Sequence, residues 1–261
     1  MDITTIIGLI VALAAMYLGI WGSGGAVPPF LDPPSFFIVV VGSLSSMIAT
    51  YSIPEFVRSL KAFGLLFKNP AMDIKAIILK IIELSNVARK EGLLSLEEAA
   101  SDLDDPFLKK GILLIVDGTD PDLVRGIMET ELVSIENRHK KVIGFWEQLG
   151  LYGPSWGMIG TLLGLITALG NLDDVETLGP TMAMCFITTL YGSMQANIIC
   201  QPAAGKLKGQ NDTEMMIKEI MIEGLLSIQA GENPRVIEEK LKSFLAPSER
   251  TQEEATDEGG E

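Results

Sequence analysis

Hydroxyl and amide side chains interrupt two long apolar segments in the second half of the chain. Thr161 follows Pro154 by seven residues, nearly two full helical turns, so both face the same way. In the next segment Thr188 and Gln195 have the same spacing, and Thr189 lies beside Thr188. Neutral oxygen atoms suit a hard cation that sheds part of its hydration shell, and polar groups inside a bilayer are costly unless paired or wet. The pattern predicts a semi-polar seam along these two segments, although each threonine alone can instead bond to its own i−4 carbonyl.

Glycines form a second stripe on the same segment. Gly153, Gly157, Gly160 and Gly164 recur at spacings of 4, 3 and 4, so they lie along one face of a helix. In lipid, small residues let helix backbones approach closely, and packing rather than the hydrophobic effect drives helix association. We therefore expect this stripe to be a packing interface. It joins helices either within this one chain or between neighbouring copies, and the sequence leaves both open.

Four apolar segments must position these residues, and each is long enough to cross a bilayer. They run over roughly 3–21, 34–53, 148–169 and 179–200, and none contains Asp, Glu, Lys or Arg. The first lacks the basic start of a signal peptide and is interpreted as a retained span. All 20 basic residues lie in the block between spans two and three or after Cys200, which predicts that this block and both termini are cytoplasmic.

These segments predict an all-α membrane protein with four transmembrane helices and helical cytoplasmic parts. We expect a transmembrane hairpin at 1–53, a cytoplasmic helical domain at 54–147, a second hairpin at 148–200 and cytoplasmic helices at 201–246. The acidic tail at 247–261 is expected to be disordered. The pattern from Thr119 onward predicts a helix that continues unbroken into span three, and Gly231–Pro234 is expected to divide the C-terminal helices.

Composition excludes several functions. The net charge of −14 argues against nucleic acid. A single histidine and two cysteines in one apolar segment cannot form a catalytic constellation or a fixed metal centre, so we expect no enzyme and no cofactor. Ion relays across lipid normally use a carboxylate, which the four predicted spans lack. If the chain conducts ions, a partner must supply the acid.

Four motifs resemble the MotA/PomA family of flagellar motor stator proteins: "GPSWGMIGTLLGL", "LGPTMAMCFITTLYGS", "ARKEGLLSLEEA" and "GENPRVIEEKL". The resemblance extends to about residue 246 and implies a homo-oligomer of five copies in the bacterial cytoplasmic membrane. These surround two copies of a MotB/PomB-type subunit that brings the ion-binding aspartate, and Na⁺ or H⁺ flow drives the rotor. An energiser of the ExbB/TolQ type and a non-conducting membrane scaffold are the alternatives.

The resemblance also implies roles for individual residues. Pro154 and Pro202 match prolines of the ion pathway, and Asp32 matches an acid at the outer mouth of sodium-type members. A transient sodium ion near Thr161 and Thr188 is expected rather than a fixed metal. Sodium is favoured because proton-type members often have a small residue at the position of Thr161, and protons remain the alternative. Four charged residues match those that meet the rotor protein FliG: Arg89, Lys90, Glu97 and Glu98. Without the resemblance, the ordinary interpretation of such charges is a helix face exposed to solvent.

One departure from the sodium-type pattern is visible. Sodium-type members often carry an acid just before the span-three proline, where this chain has Leu151 and Tyr152. The attraction of ions at that point is therefore expected to differ.

Overall fold

The computed structural model describes residues 3–67, 73–101 and 103–245, and these are helical apart from their connections. The predicted all-α class is confirmed, whereas the acidic tail at 247–261 lies outside the described residues. The chain divides into two compact units. One, here called the membrane unit, combines Met1–Pro70 with Arg138–Gly209. The other, the helical unit, combines Ala71–Asn137 with Gln210–Glu261.

The described residues contain eleven α-helices. They are α1 (Ile3–Gly22), α2 (Pro33–Phe36), α3 (Gly42–Thr50), α4 (Ile53–Lys61), α5 (Ile74–Glu91), α6 (Leu96–Ser101), α7 (Pro106–Val116), α8 (Pro121–Gly170), α9 (Val175–Met194), α10 (Gln201–Gln229) and α11 (Pro234–Lys242). Short 3₁₀ turns lie at Pro28–Phe30, Ala62–Phe67 and Leu93–Ser95, and wider π-helical turns at Phe37–Val41 and Gln195–Cys200.

Four of these helical stretches are long and apolar enough to cross a membrane: Ile3–Gly22, Pro28–Thr50, Pro121–Gly170 and Glu176–Gln229. The prediction of an unbroken helix into span three is confirmed, since α8 runs for 50 residues. The helical stretch that contains the second span begins earlier than predicted, at Pro28, and Asp32 lies near its start, where its carboxylate caps α2.

The helix that contains span four does not stop at Cys200, the predicted end of the span. The helix continues into α10 and stops only before Gly231, whose φ of +70° lies in the left-handed region that favours glycine. The π-helical turn directly precedes Pro202. Because proline removes a backbone donor and crowds the carbonyl four residues earlier, the wider turn lets the helix continue through it. The predicted division between α10 and α11 is confirmed.

The helical unit has an aliphatic core formed by one face of each of its helices. Ile81, Ile112, Met128 and Ile220 are completely buried in it. Close approach is required at Gly224, where an added Cβ would lie 2.6 Å from Ile81 Cγ2. At the rim of this core, Glu223 accepts from Arg125 at 2.7 Å and pairs with Lys240 at 3.2 Å. The Arg125 guanidinium holds the pKa of the Glu223 carboxyl below its usual value.

Candidate ion pathway in the membrane unit

The glycine stripe of α8 packs on α9 of the same chain. A Cβ built on Gly157 would lie 2.8 Å from the Thr188 carbonyl oxygen, and one on Gly160 would lie 2.5 Å from Thr188 Cγ2. A Cβ built on Gly153 would lie 2.8 Å from the Gly192 carbonyl oxygen, and one on Gly164 would lie 2.6 Å from Cys185 Sγ. The stripe therefore joins spans three and four within one chain. Of the two possibilities that the sequence leaves open, these contacts with α9 favour packing within one chain.

Two threonine hydroxyls meet across this helical hairpin. Thr161 Oγ1 lies 2.7 Å from Thr189 Oγ1, 2.9 Å from the Cys185 carbonyl oxygen and 3.1 Å from the Gly157 carbonyl oxygen. Thr189 Oγ1 lies 3.3 Å from the same Cys185 carbonyl. The close approach at the glycines brings the two helices near enough for this contact. We call Thr161, Thr189 and the Cys185 carbonyl the oxygen cluster.

The oxygen cluster has more acceptors than protons. Each hydroxyl carries one proton and two lone pairs, so two protons serve the four contacts around Thr161 and Thr189. The lone pairs that receive no proton remain neutral oxygen donors. Such neutral oxygen atoms are the donors that hard cations prefer. The cluster can therefore assist a passing cation, while a charged counterion must come from elsewhere.

Thr188 is placed differently from the prediction. Its hydroxyl donates to its own helix, 3.1 Å from the Met184 carbonyl and 3.0 Å from that of Cys185. Gly160 covers its side chain, which is completely buried. Thr188 is therefore a packing residue of the hairpin, and Thr189 is the member of the pair that faces Thr161.

Gln195 also leaves the predicted line. Its Nε2 donates to Ser43 Oγ at 2.8 Å, and both side chains are buried. This bond joins span four to span two beside the π-helical turns of both helices. Sequence spacing did not indicate Ser43, because a serine can satisfy its hydroxyl on its own helix.

Asp32 is bound to the side of span four. Its backbone N–H donates to the Tyr191 hydroxyl at 3.1 Å, and that hydroxyl donates to the Phe30 carbonyl at 2.6 Å. Tyr191 follows Val175, the first residue of α9, by 16 residues, which is about 24 Å of helix. The carboxylate Oδ2 of Asp32 accepts from the Ser35 backbone N–H at 2.9 Å and from the Ser35 hydroxyl. Asp32 is thus an N-cap positioned well along span four.

The two prolines lie in different surroundings. Pro154 is exposed within α8, and an added Cβ on Gly192 would approach its Cα to 3.0 Å. Pro202 instead lines a cavity of about 490 Å³ beside α1, together with Thr4, Asn197 and Lys206. The structure therefore brings Pro154 and the oxygen cluster onto the same helical hairpin, and it places Pro202 at a separate cavity.

The four charged residues assigned to the rotor contact lie in the helical unit and are exposed. Arg89 and Lys90 occupy the last turn of α5, and Glu97 and Glu98 the first turn of α6. A 3₁₀ turn after Gly92, whose φ is +90°, connects the two helix ends. Cations at a helix C-terminus and anions at an N-terminus are each stabilised by the helix dipole. The charges therefore have a modest structural role, and their side chains are exposed to solvent.

Four helices that are long and apolar enough to cross a membrane define the class as a multi-pass membrane protein, with hydroxyl and carbonyl oxygens between two of its helices. The model of the MotA/TolQ/ExbB proton channel family matches residues 99–220. The chain is 39% identical to motility protein A of Borreliella burgdorferi over 252 residues, covering 97% of each. It is 37% identical to the chemotaxis protein PomA of Vibrio alginolyticus, covering 97% of this chain and 99% of that one.

A solved structure gives the same result for the fold. The flagellar MotAB stator complex from Bacillus subtilis contains a chain that is 34% identical, with a TM-score of 0.89. The match covers 96% of this chain and 99% of that chain. The present chain belongs to the motility protein A (MotA/PomA) group of the MotA/TolQ/ExbB proton channel family.

Proposed function

We propose that this chain is the ion-conducting stator subunit of a bacterial flagellar motor. The observation that carries the proposal is the whole-length match in sequence and fold to a chain of a solved flagellar stator complex. The oxygen cluster on the hairpin of spans three and four supplies neutral oxygen ligands for ion passage. Several copies, with five expected, surround a MotB/PomB-type partner in the bacterial inner membrane. Both termini and the helical unit face the cytoplasm, because the basic residues concentrate there.

The partner is needed because the oxygen cluster is uncharged. A cation that leaves water requires a compensating negative charge, which a partner aspartate opposite the hairpin provides. Moving one charge down the membrane potential releases about 2.3 kcal/mol for each 100 mV. Ion conduction then turns the ring formed by this chain around its partner and drives the rotor. The chain is expected to have no resident cofactor.

We propose sodium as the transported ion, with protons as the alternative. The hydroxyl oxygens of Thr161 and Thr189 lie together with the Cys185 carbonyl oxygen. These three oxygens are a suitable partial replacement for the hydration shell of sodium. A proton needs no such ligands, since it moves along water and carboxylates. Flux of labelled sodium into vesicles that contain both subunits tests this proposal. Absence of both sodium and proton flux from correctly assembled complexes would favour the non-conducting scaffold.

Reversing the charge of Arg89 is expected to impair rotation without lowering the amount of protein in the membrane. Arg89 is exposed, and surface charges typically contribute under about 1 kcal/mol to stability. The measurement is torque of tethered cells expressing Arg89→Glu, beside immunoblots of membranes. Arg235→Glu is the matched control, since Arg235 is exposed on α11, away from the α5–α6 turn in sequence. Equal torque loss in both variants, or disappearance of Arg89→Glu from the membrane, would remove the support for a rotor contact.

A further inference from the structure

Tyr191 makes a two-sided contact that the proposed pathway does not use. Its hydroxyl donates to the Phe30 carbonyl at 2.6 Å and accepts the Asp32 backbone N–H at 3.1 Å. Both partners belong to the turn that leads from span one into span two. A tyrosine in an apolar environment needs one hydrogen-bond partner. The Tyr191 hydroxyl instead donates one hydrogen bond and accepts another, and its two partners, Phe30 and Asp32, belong to the same turn. These two bonds fix the position of the turn.

The fixed turn carries the Asp32 carboxylate, whose hydrogen bonds fall on one of its two oxygens. Asp32 Oδ2 accepts both bonds from Ser35 and caps α2. Asp32 Oδ1 accepts no hydrogen bond from the residues that the structure describes. An ionised carboxylate oxygen is a strong ligand for a hard cation. The tyrosine therefore determines where an available negative oxygen lies along span four.

Tyr191 lies about 200° around α9 from Thr189, so its hydroxyl contacts the turn before span two while Thr189 contacts α8. Thr189, two residues earlier, belongs to the oxygen cluster. Gly192, the next residue, lies so close to α8 that an added Cβ would be 2.5 Å from the Gly153 carbonyl oxygen. These residues are on one rigid helix, so a shift of the turn relative to Tyr191 changes the distance between the Asp32 carboxylate and the rest of the pathway.

We infer that Tyr191 is a positioning residue for cation entry: its hydroxyl fixes the Asp32 carboxylate at one place on span four. The inference rests on the proposed ion-conducting function. It assigns to Tyr191 an effect on the apparent affinity for the cation, not on the maximal rate. A tyrosine that only stabilises the fold would instead lower the amount of assembled complex.

Tyr191→Phe tests the inference because it removes the hydroxyl and retains the ring. The full-length chain is assembled with its MotB-type partner, and ion flux is recorded against concentration of the cation that the wild type conducts. Both hydrogen bonds of the hydroxyl to the turn are lost, and the half-saturating concentration is expected to rise at least about fivefold, the factor for the net strength of one ordinary hydrogen bond, with the maximal flux unchanged. Tyr17→Phe is the control, since Tyr17 is exposed on span one.

A double variant then separates positioning from a general effect. Asp32→Asn removes the charge but keeps a good N-cap residue, and it should raise the half-saturating concentration by itself. Adding Tyr191→Phe to Asp32→Asn should cause no further rise if the tyrosine acts through the carboxylate. Multiplying effects, or an unchanged half-saturating concentration in Tyr191→Phe alone, would overturn the inference. If the wild-type complex conducts neither Na⁺ nor H⁺, the proposed function fails as well.

Discussion

Gly157→Leu should abolish the assembled membrane protein. The Cβ of any side chain at this position would lie 2.8 Å from the Thr188 carbonyl oxygen and 3.3 Å from Thr189 Cα, both of them backbone atoms of α9. Backbone cannot move aside as a flexible side chain does, so spans three and four must separate. Overpacking of a tight contact typically costs about 1–3 kcal/mol, and more when backbone shifts. We expect loss of the full-sized complex on native gels and rapid proteolysis of the chain.

Gly179→Leu is the matched control, because nothing lies within 4 Å of an added Cβ at that position on α9. Its membrane level should be close to that of the wild type. A stable but unassembled Gly157→Leu monomer would show that the glycines act between copies after all. A full-sized complex from Gly157→Leu would contradict the packing described here altogether.

Thr161→Val should raise the sodium concentration needed for rotation by about ten- to a hundredfold. Valine has nearly the shape of threonine but removes the hydroxyl that lies 2.7 Å from Thr189 Oγ1 and 2.9 Å from the Cys185 carbonyl. Polar contacts to a charged group are worth about 1.5–3 kcal/mol, and each 1.4 kcal/mol is about a factor of ten. The measurement is swimming speed against sodium concentration, with immunoblots to confirm membrane levels.

Two further variants separate this chemistry from packing. Thr161→Ser retains the hydroxyl and should restore most of the sodium response. Thr167→Val is the control on the same helix, since Thr167 is exposed and its hydroxyl donates to the Leu163 carbonyl of its own turn. An unaltered sodium response in Thr161→Val would leave Thr161 and Thr189 as packing residues and remove the support for sodium.

The spans and the glycine stripe were predictable because local features of the sequence, apolar length and residue spacing, determine them. Apolar length indicates a membrane helix whatever lies next to it, and glycines at spacings of 4, 3 and 4 must share a face. The choice between packing within the chain and packing between copies was not predictable, because both use the same close approach of backbones. Only the contact with the Thr188 and Gly192 carbonyls identifies α9 as the partner.

The details of the pathway depend on helix rotation, which sequence does not give. Thr188 and Thr189 differ by one residue, or about 100° around the helix, so the packing of α8 on α9 decides which hydroxyl meets Thr161. The π-helical turn before Pro202 likewise changes the phase of everything beyond it. Asp32 looked like part of a loop between spans, because its prolines resemble a turn signal. The bond to Tyr191 reveals its actual place beside span four.

The central claim, that this chain is an ion-driven torque generator, is tested most directly by rotation of a single tethered cell. The source bacterium would carry this chain and its MotB-type partner as the only stator pair, with sodium varied at constant membrane potential. The account predicts rotation whose speed rises with sodium and then saturates, and predicts no rotation once the chain is deleted. Cells that stay immobile although the assembled complex is present in the membrane would contradict the stator function.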